Sequence, residues 1–546
     1  MRCFWLIATD RNVMIDFHRH PDQYSHWVLS VDDVIATLTL SVDPQAAAIG
    51  EYELKLNSYD IGVDIELADA IRRIRFEYPN TKCVVIDSAL DGIFCAGANI
   101  QMLAGADHGH KINFCKFTNE TRLEIEEASL YSGIRFLAAV RGACTGGGYE
   151  LALACDHIIL IDDKNTAVSL PEVPLLGVLP GTGGLTRLTD KRHLRRDIAD
   201  VFATKAEGTR GQEALKSKLV DELASPTGFD MAVRHRALQL SSSTTRIGGS
   251  PAVLPELSIQ VTDNRIQYRY VSATFKSQHV DIEISAAENS DWLLTTALEL
   301  DDLLCRLRFN HTHLGTLLIR TSGSAESVLN HDEALSNPTT HEELETALLW
   351  KRTLSRMDLT ARTLIAAIEP GSCFVGILFE LALAADRSYM LSGIFEDDED
   401  PLPAATMQLS AVNLGVFPMA NGISRLASRF WGDSNGLRNA VDTRDTPLVA
   451  SNAIERGLVT YAPDDLDWEE ELRIAIEERS SFSPDALTAM EANHRFAGPE
   501  TMATKIFARL SAWQNWIFTR PNASGPEGAL RLYGTGSRPA YNTDRT

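Results

Sequence analysis

Positive charge is scarce in this sequence: 51 Lys and Arg stand against 74 Asp and Glu, a formal net charge of −23. A general nucleic-acid binder needs a basic footprint to displace counterions, so that class is excluded. A small anionic ligand is not, because a few local cations suffice for it. Long apolar runs are also missing. Nothing approaches the ~18 residues of a transmembrane helix. The apolar stretch from Cys3 to Ala8 runs straight into Thr9-Asp10-Arg11 and is too short for a signal peptide. A cytoplasmic protein with no membrane association is expected. Eight cysteines are scattered along the chain without a C-x-x-C pair, which predicts neither a disulfide framework nor zinc. The His18-x-His20, His108-x-His110 and His311-x-His313 pairs lack a third ligand at metal-site spacing, so no metal is expected.

What is present is a globular composition, 44 % hydrophobic and 23 % charged, over 546 residues. At roughly 150 residues per domain this predicts two to four units. From residue 25 onward the pattern is α/β. Val34 to Val42 reads as a strand, and Leu67, Ile71, Ile74 and Tyr78 mark an amphipathic helix. Lys82 to Ser88, Phe136 to Gly142 and His157 to Asp162 are short apolar runs of the kind buried in a sheet covered on both faces. Strands alternating with helices imply a parallel or mixed sheet.

Ser241 to Pro251, rich in Ser, Thr and Gly, reads as a linker, and beyond it the pattern returns. Leu298 to Phe309 corresponds to the first helix and Leu317 to Gly323 to the strand before Ala89. Leu364 to Met390 matches the segment from Phe136 without a gap, so that Glu150 aligns with Glu380. A repeat this long indicates a duplicated domain rather than a solenoid. The boundaries expected are 25–245, 255–465 and a C-terminal helical region, 466–546, whose last ~20 residues look extended.

Chemistry concentrates in two glycine-bearing segments of the first copy. FCAGANI (Phe94 to Ile100) follows a strand, and GACTGGGYEL (Gly142 to Leu151) joins a strand to an apolar helix. Glycines at such a junction let the backbone approach a ligand and aim free helix N-terminal N–H groups at it. One N–H from each segment suits a developing oxyanion. Glu150 falls in the first turn of the helix that the second segment opens. In the second copy Gly146-Gly147-Gly148 becomes Gly376-Ile377-Leu378 and Glu172 becomes Ala411, which predicts a structural role there.

FCAGANI, GGGYEL and the following LPEV (Leu170 to Val173) resemble the signature of the crotonase (enoyl-CoA hydratase/isomerase) superfamily. That resemblance implies two tandem α/β domains of the spiral ββα crotonase fold, the second degenerate. It implies Ala98 and Gly147 as oxyanion donors, Glu150 and Glu172 as catalytic carboxylates, and Gly97, Asn99 and Gly146 as substrate contacts. The separation of 172 − 150 = 22 residues is a little longer than usual, with extra residues around Asp162 to Thr166. With a degenerate second copy fused to the first, HPDQYSHW (His20 to Trp27) near the start and WQNWIFTRPNA (Trp513 to Ala523) near the end, the chain over residues ~14 to 540 further resembles the benzoyl-CoA-dihydrodiol lyase family. What that family implies is the conversion of 2,3-epoxybenzoyl-CoA and water to 3,4-dehydroadipyl-CoA semialdehyde and formate in aerobic benzoate degradation. It also implies no cofactor beyond the coenzyme A of the substrate, a homodimer, and a functional thiol that maps onto Cys115, with Asn113, Asn119 and Glu120 as polar neighbours. The alternatives are a plain enoyl-CoA hydratase or isomerase and a non-catalytic crotonase-like scaffold.

Overall fold

The computed structural model of the chain describes residues 14–546, so the apolar stretch Cys3 to Ala8 lies outside the described residues. The chain divides into two compact units, one ending at Leu254 and the other beginning at Pro255. The Ser- and Gly-rich segment before that boundary is not a free tether. Its first residues finish the helix Phe229–Ser242. Beyond them, the Arg246 guanidinium donates to the carbonyls of Arg75 and Thr81, each at 2.8 Å.

Among the described residues, the first unit holds two sheets. The strands in chain order are β1 (Trp27–Asp32), β2 (Ile35–Leu40), β3 (Cys83–Ser88), β4 (Ile93–Cys95), β5 (Arg135–Val140), β6 (Ala143–Thr145), β7 (His157–Ile161), β8 (Ala167–Ser169), β9 (Thr209–Arg210) and β10 (Glu222–Ala224). The larger sheet has the order β1-β2-β3-β5-β7-β10, antiparallel only between β1 and β2. The smaller has the order β4-β6-β8-β9. One face of the large sheet is covered by the helix Phe229–Ser242, whose Phe229, Val233 and Ala237 pack on Val85, Leu137 and Ile159. Val84, Ile86, Phe136 and Ala138, which alternate with them onto the other face, are buried as well, which accounts for the continuous apolar runs read from the sequence.

The helix Ile61–Glu77 departs from its expected amphipathic form. Asp64, Glu66, Arg73 and Arg75 are buried along with its apolar residues, and Tyr78 lies just past its end. Burial is tolerated because the charges have partners. Glu66 accepts the backbone N–H groups of Ser25, His26 and Trp27 at 2.8, 2.8 and 3.1 Å. Asp64 pairs with Arg122 at 2.6 Å, which ties this helix to the helix His108–Glu127.

The second unit has one seven-stranded sheet, β11 (Gln260–Thr262), β12 (Arg265–Gln267), β13 (Val271–Phe275), β14 (His279–Ser285), β15 (Thr316–Ser322), β16 (Thr363–Ile368) and β17 (Arg387–Met390), adjacent in that order. β13 and β14 are antiparallel and β14 to β17 parallel, the same sequence of directions as β1, β2, β3, β5 and β7. Even the buried acceptor recurs: Glu299 takes the N–H groups of Arg269, Tyr270 and Val271. The likeness of the two units thus begins further upstream than their sequences reveal. The helix Asp465–Ser481 lays Trp468, Leu472, Ala475 and Ile476 on this sheet, so it closes the second core rather than standing apart from it. Close to the C-terminus, Arg545 is buried and pairs with Glu491 at 2.5 Å. Among the described residues no helix is long and apolar enough to cross a membrane.

Candidate active site

The small sheet of the first unit gathers the segments singled out in the sequence. β4, β6 and β8 run parallel as neighbours, with Cys95 beside Cys144 and Thr145 beside Ser169. Each strand therefore ends at the same edge: β4 leads to Gly97-Ala98-Asn99, β6 to Gly146 and the helix Gly147–Ala154, and β8 to Glu172. The turn after β4 presses on the start of that helix. Gly97 has φ +84°, and a Cβ there would come within 2.8 Å of the Gly147 nitrogen and the Thr145 oxygen. Gly146 has φ +56°, and a Cβ there would come within 2.6 Å of Glu172 Oε1. Neither position admits another residue without strain or displacement. Across the turn, Tyr59 donates to the Gly97 carbonyl at 3.0 Å and accepts from the Asn99 N–H at 2.9 Å, an arrangement that leaves the Ala98 N–H outside the bridge.

The two carboxylates have unlike surroundings. Glu150 is buried on the first turn of the helix, where Oε1 accepts from the N–H groups of Thr182 at 3.0 Å and Gly184 at 2.7 Å. Its Oε2 accepts from the Thr182 hydroxyl. Glu172 is half-buried, and its Oε2 is shielded from solvent with no hydrogen-bond partner among the described residues. Burial, reinforced by the charge of Glu150, raises the Glu172 carboxyl from its ordinary 4.5 to about 7. One carboxylate is thus cradled by donors, while the other is poised to hold a proton near neutrality.

The enoyl-CoA hydratase/isomerase family model matches residues 53–281. The benzoyl-CoA-dihydrodiol lyase of Aromatoleum evansii is 49 % identical over 97 % of this chain and 98 % of its own length. The chain belongs to the benzoyl-CoA-dihydrodiol lyase family. Other proteins are similar over a smaller part of the chain. The fatty acid oxidation complex subunit alpha of Idiomarina loihiensis is 30 % identical over 39 % of this chain and 28 % of its own. A solved enoyl-CoA hydratase of Geobacillus kaustophilus is 33 % identical, covers 40 % of this chain and 75 % of its own, and superposes with a TM-score of 0.35.

Within this benzoyl-CoA-dihydrodiol lyase family member the remaining residues of interest divide. Cys115 lies half-buried on the helix His108–Glu127, with its sulfur 3.7 Å from where a Cβ on Gly181 would stand. Burial and the charges of Glu150 and Asp64 push its thiol up to about 11, so it is protonated at neutral pH and no ready nucleophile. Asn119, one helical turn on, donates to the carbonyls of Cys115 and Gly181, each at 3.0 Å, and braces the Gly181–Gly184 segment against the helix. Asn113 is buried two residues from Cys115, hence on another face of the helix, while Glu120 is half-buried beyond Asn119. Asn99 has a structural task. Its side chain caps the helix Ile100–Gly105 by accepting from Met102 N–H at 2.9 Å, and donates to Glu53 O and Ser58 Oγ. Asp162 to Thr166 form a turn between β7 and β8 in which Asp163 accepts from the N–H groups of Asn165 and Thr166, so the added length is taken up before β8 begins. Thr182 and Gly184 were missed as functional residues. The only signal for them was the run Gly181-Thr182-Gly183-Gly184, whose small residues permit backbone N–H groups to close on Glu150.

Proposed function

We propose that this chain is a coenzyme A thioester-dependent carbon–carbon lyase that opens the ring of 2,3-epoxybenzoyl-CoA with two molecules of water, one for ring opening and one for hydrolytic carbon–carbon cleavage, to give 3,4-dehydroadipyl-CoA semialdehyde and formate. The observation that carries the reading is the common edge of β4, β6 and β8, where two glycine turns and two carboxylates in unlike environments meet. The near full-length likeness to a benzoyl-CoA-dihydrodiol lyase supports the substrate.

In the proposed mechanism the thioester carbonyl lies between the N–H groups of Ala98 and Gly147. Removing one such donor costs about 10²- to 10³-fold in rate where it has been measured. Glu150, whose side-chain oxygens only accept hydrogen bonds, activates water. Glu172, protonated near neutrality, delivers a proton to the opening ring oxygen. The polarised thioester serves as electron sink for the bond cleavage that releases the one-carbon fragment, so no cofactor beyond the substrate's coenzyme A is invoked. The second unit is read as a degenerate, structural copy, and the protein as a cytoplasmic homodimer.

The test is mass spectrometry of the products from a panel of acyl-CoA thioesters. Formate and the six-carbon semialdehyde should arise from the epoxide alone. Hydration of crotonyl-CoA without ring opening would select a plain hydratase. Failure of every acyl-CoA to raise the melting temperature would select a scaffold.

A further inference from the structure

Tyr59 is 3 % exposed, yet its hydroxyl has no hydrogen-bond partner among the described residues. A buried tyrosine hydroxyl ordinarily finds one. Its position is tightly set. The backbone is bonded on both sides to the turn carrying Ala98. The ring packs against Phe114 at 5.8 Å between centroids, and the Arg122 guanidinium lies over it at 5.3 Å. Arg122 is itself held by Asp64 at 2.6 Å, so the ring has little freedom to turn elsewhere.

The hydroxyl points at the start of the helix Gly147–Ala154. It overlaps the place that the Cβ of any residue other than glycine would take at position 147. It therefore lies against Gly147, the residue whose N–H group is assigned above to the oxyanion. The ionisable groups that act on it are Arg122, Asp64, Glu150 and the Cys95 thiol. Burial outweighs them and keeps the phenol protonated far above neutral pH. What the structure offers here is an immobilised, protonated, unsatisfied donor at the mouth of a helix N-terminus.

We propose that the Tyr59 hydroxyl is a third donor to the thioester carbonyl oxygen of the bound acyl-CoA, acting with the N–H groups of Ala98 and Gly147. This rests on the acyl-CoA reading above and deepens it. The ligand completes a hydrogen bond that the free protein leaves unmade, so the interaction belongs to the bound state and not to the fold.

The experiment uses the full chain and benzoyl-CoA labelled with ¹³C at the carbonyl, a ligand that cannot be ring-opened. In the wild type the infrared band of the bound carbonyl should fall below that of free ligand. In Tyr59→Phe the fall should be clearly smaller, with binding kept within about tenfold, while Glu150→Gln should retain the full fall. Ligand-free Tyr59→Phe should melt no lower than the wild type. On the epoxide, its kcat should drop about 100-fold with little change in KM. An unchanged carbonyl band in Tyr59→Phe would overturn this assignment and leave the acyl-CoA reading standing. A lower melting temperature of the ligand-free variant would assign the hydroxyl to the fold and overturn it equally. If the wild type bound no benzoyl-CoA, the broader reading would fall and this one with it.

Discussion

Glu150 and Glu380 occupy matching places on matching helices, and their neighbours are of opposite kinds. Glu150 is held by neutral donors, Thr182 and Gly184. Glu380 accepts from Asn413 at 2.8 Å and pairs with Arg425 at 2.9 Å, while Arg425 also pairs with Asp358 at 2.6 Å. The arginine exists in both units. In the first, Arg187 turns instead to Glu126, at 2.8 and 3.0 Å, and to the Thr182 carbonyl, so it supports the segment that cradles Glu150 without neutralising the carboxylate. The helix entrances, by contrast, are alike in that each faces a carboxylate outside any ion pair among the described residues. At Gly146 the nearby carboxylate is Glu172, with one oxygen unpartnered. At Gly376 the chain's own Asp332 fills the entrance, its oxygens 2.5 and 2.6 Å from where a Cβ would stand. The three-strand frame of β4, β6 and β8 shrinks in the second unit to a bridge between Val375 and Gln408. The larger sheet evidently persists without the site; the site needs the small sheet, the glycines and a carboxylate spared from ion pairing.

That contrast can be broken in several places. Gly147→Ala forces a methyl group onto the Tyr59 hydroxyl, and formate release should fall about 10²- to 10³-fold. Ile377→Gly, the reverse change in the second unit, should gain none. Glu380→Gln should leave the steady-state kinetics of ring opening intact but lower stability by about 1–3 kcal/mol in urea unfolding, because a charged hydrogen bond to buried Arg425 is weakened.

The pH dependence follows from Glu172. With its carboxyl at about 7, a proton-donating role predicts that kcat falls as pH rises through 7, and Glu172→Gln should remove that limb along with most activity. The stability consequence has a definite sign. The folded state holds a proton on Glu172 that the unfolded chain releases near 4.5, so this group's contribution to stability declines as pH rises from about 4.5 to 7. Glu172→Gln should therefore melt a few degrees higher than the wild type above pH 7, with the difference vanishing near pH 4. The smallest effect is expected at Cys115. Since its thiol is raised to about 11, Cys115→Ser should retain activity within about tenfold, and alkylation of the wild-type thiol should be slow at neutral pH.

Much of the α/β pattern was legible because apolar runs such as Val84 to Ile86 and Phe136 to Val140 report burial directly. The junction at Gly146 and the carboxylates at 150 and 172 were legible because each is local in sequence. Partner choice was not. Whether an arginine reaches Glu126 or Glu380, or whether Asn99 caps a helix or faces a ligand, depends on elements far apart in the chain. Buried charge was invisible for the same reason: Glu66 looks solvent-facing until the N–H groups of Ser25, His26 and Trp27, at the entry to β1, are seen to converge on it. The β13–β14 hairpin escaped notice as a repeat because its residues differ from those of β1 and β2 while its directions do not.

In the proposed mechanism, ring opening depends on the neutral cradle of Glu150 and not on its ion-paired counterpart. The direct test is formate release from 2,3-epoxybenzoyl-CoA by folded Glu150→Gln and Glu380→Gln, assayed side by side with the wild type. A loss of at least about 100-fold is expected in the first and near-normal turnover in the second. Near-normal turnover by Glu150→Gln, or an equal loss in a folded Glu380→Gln, would contradict it.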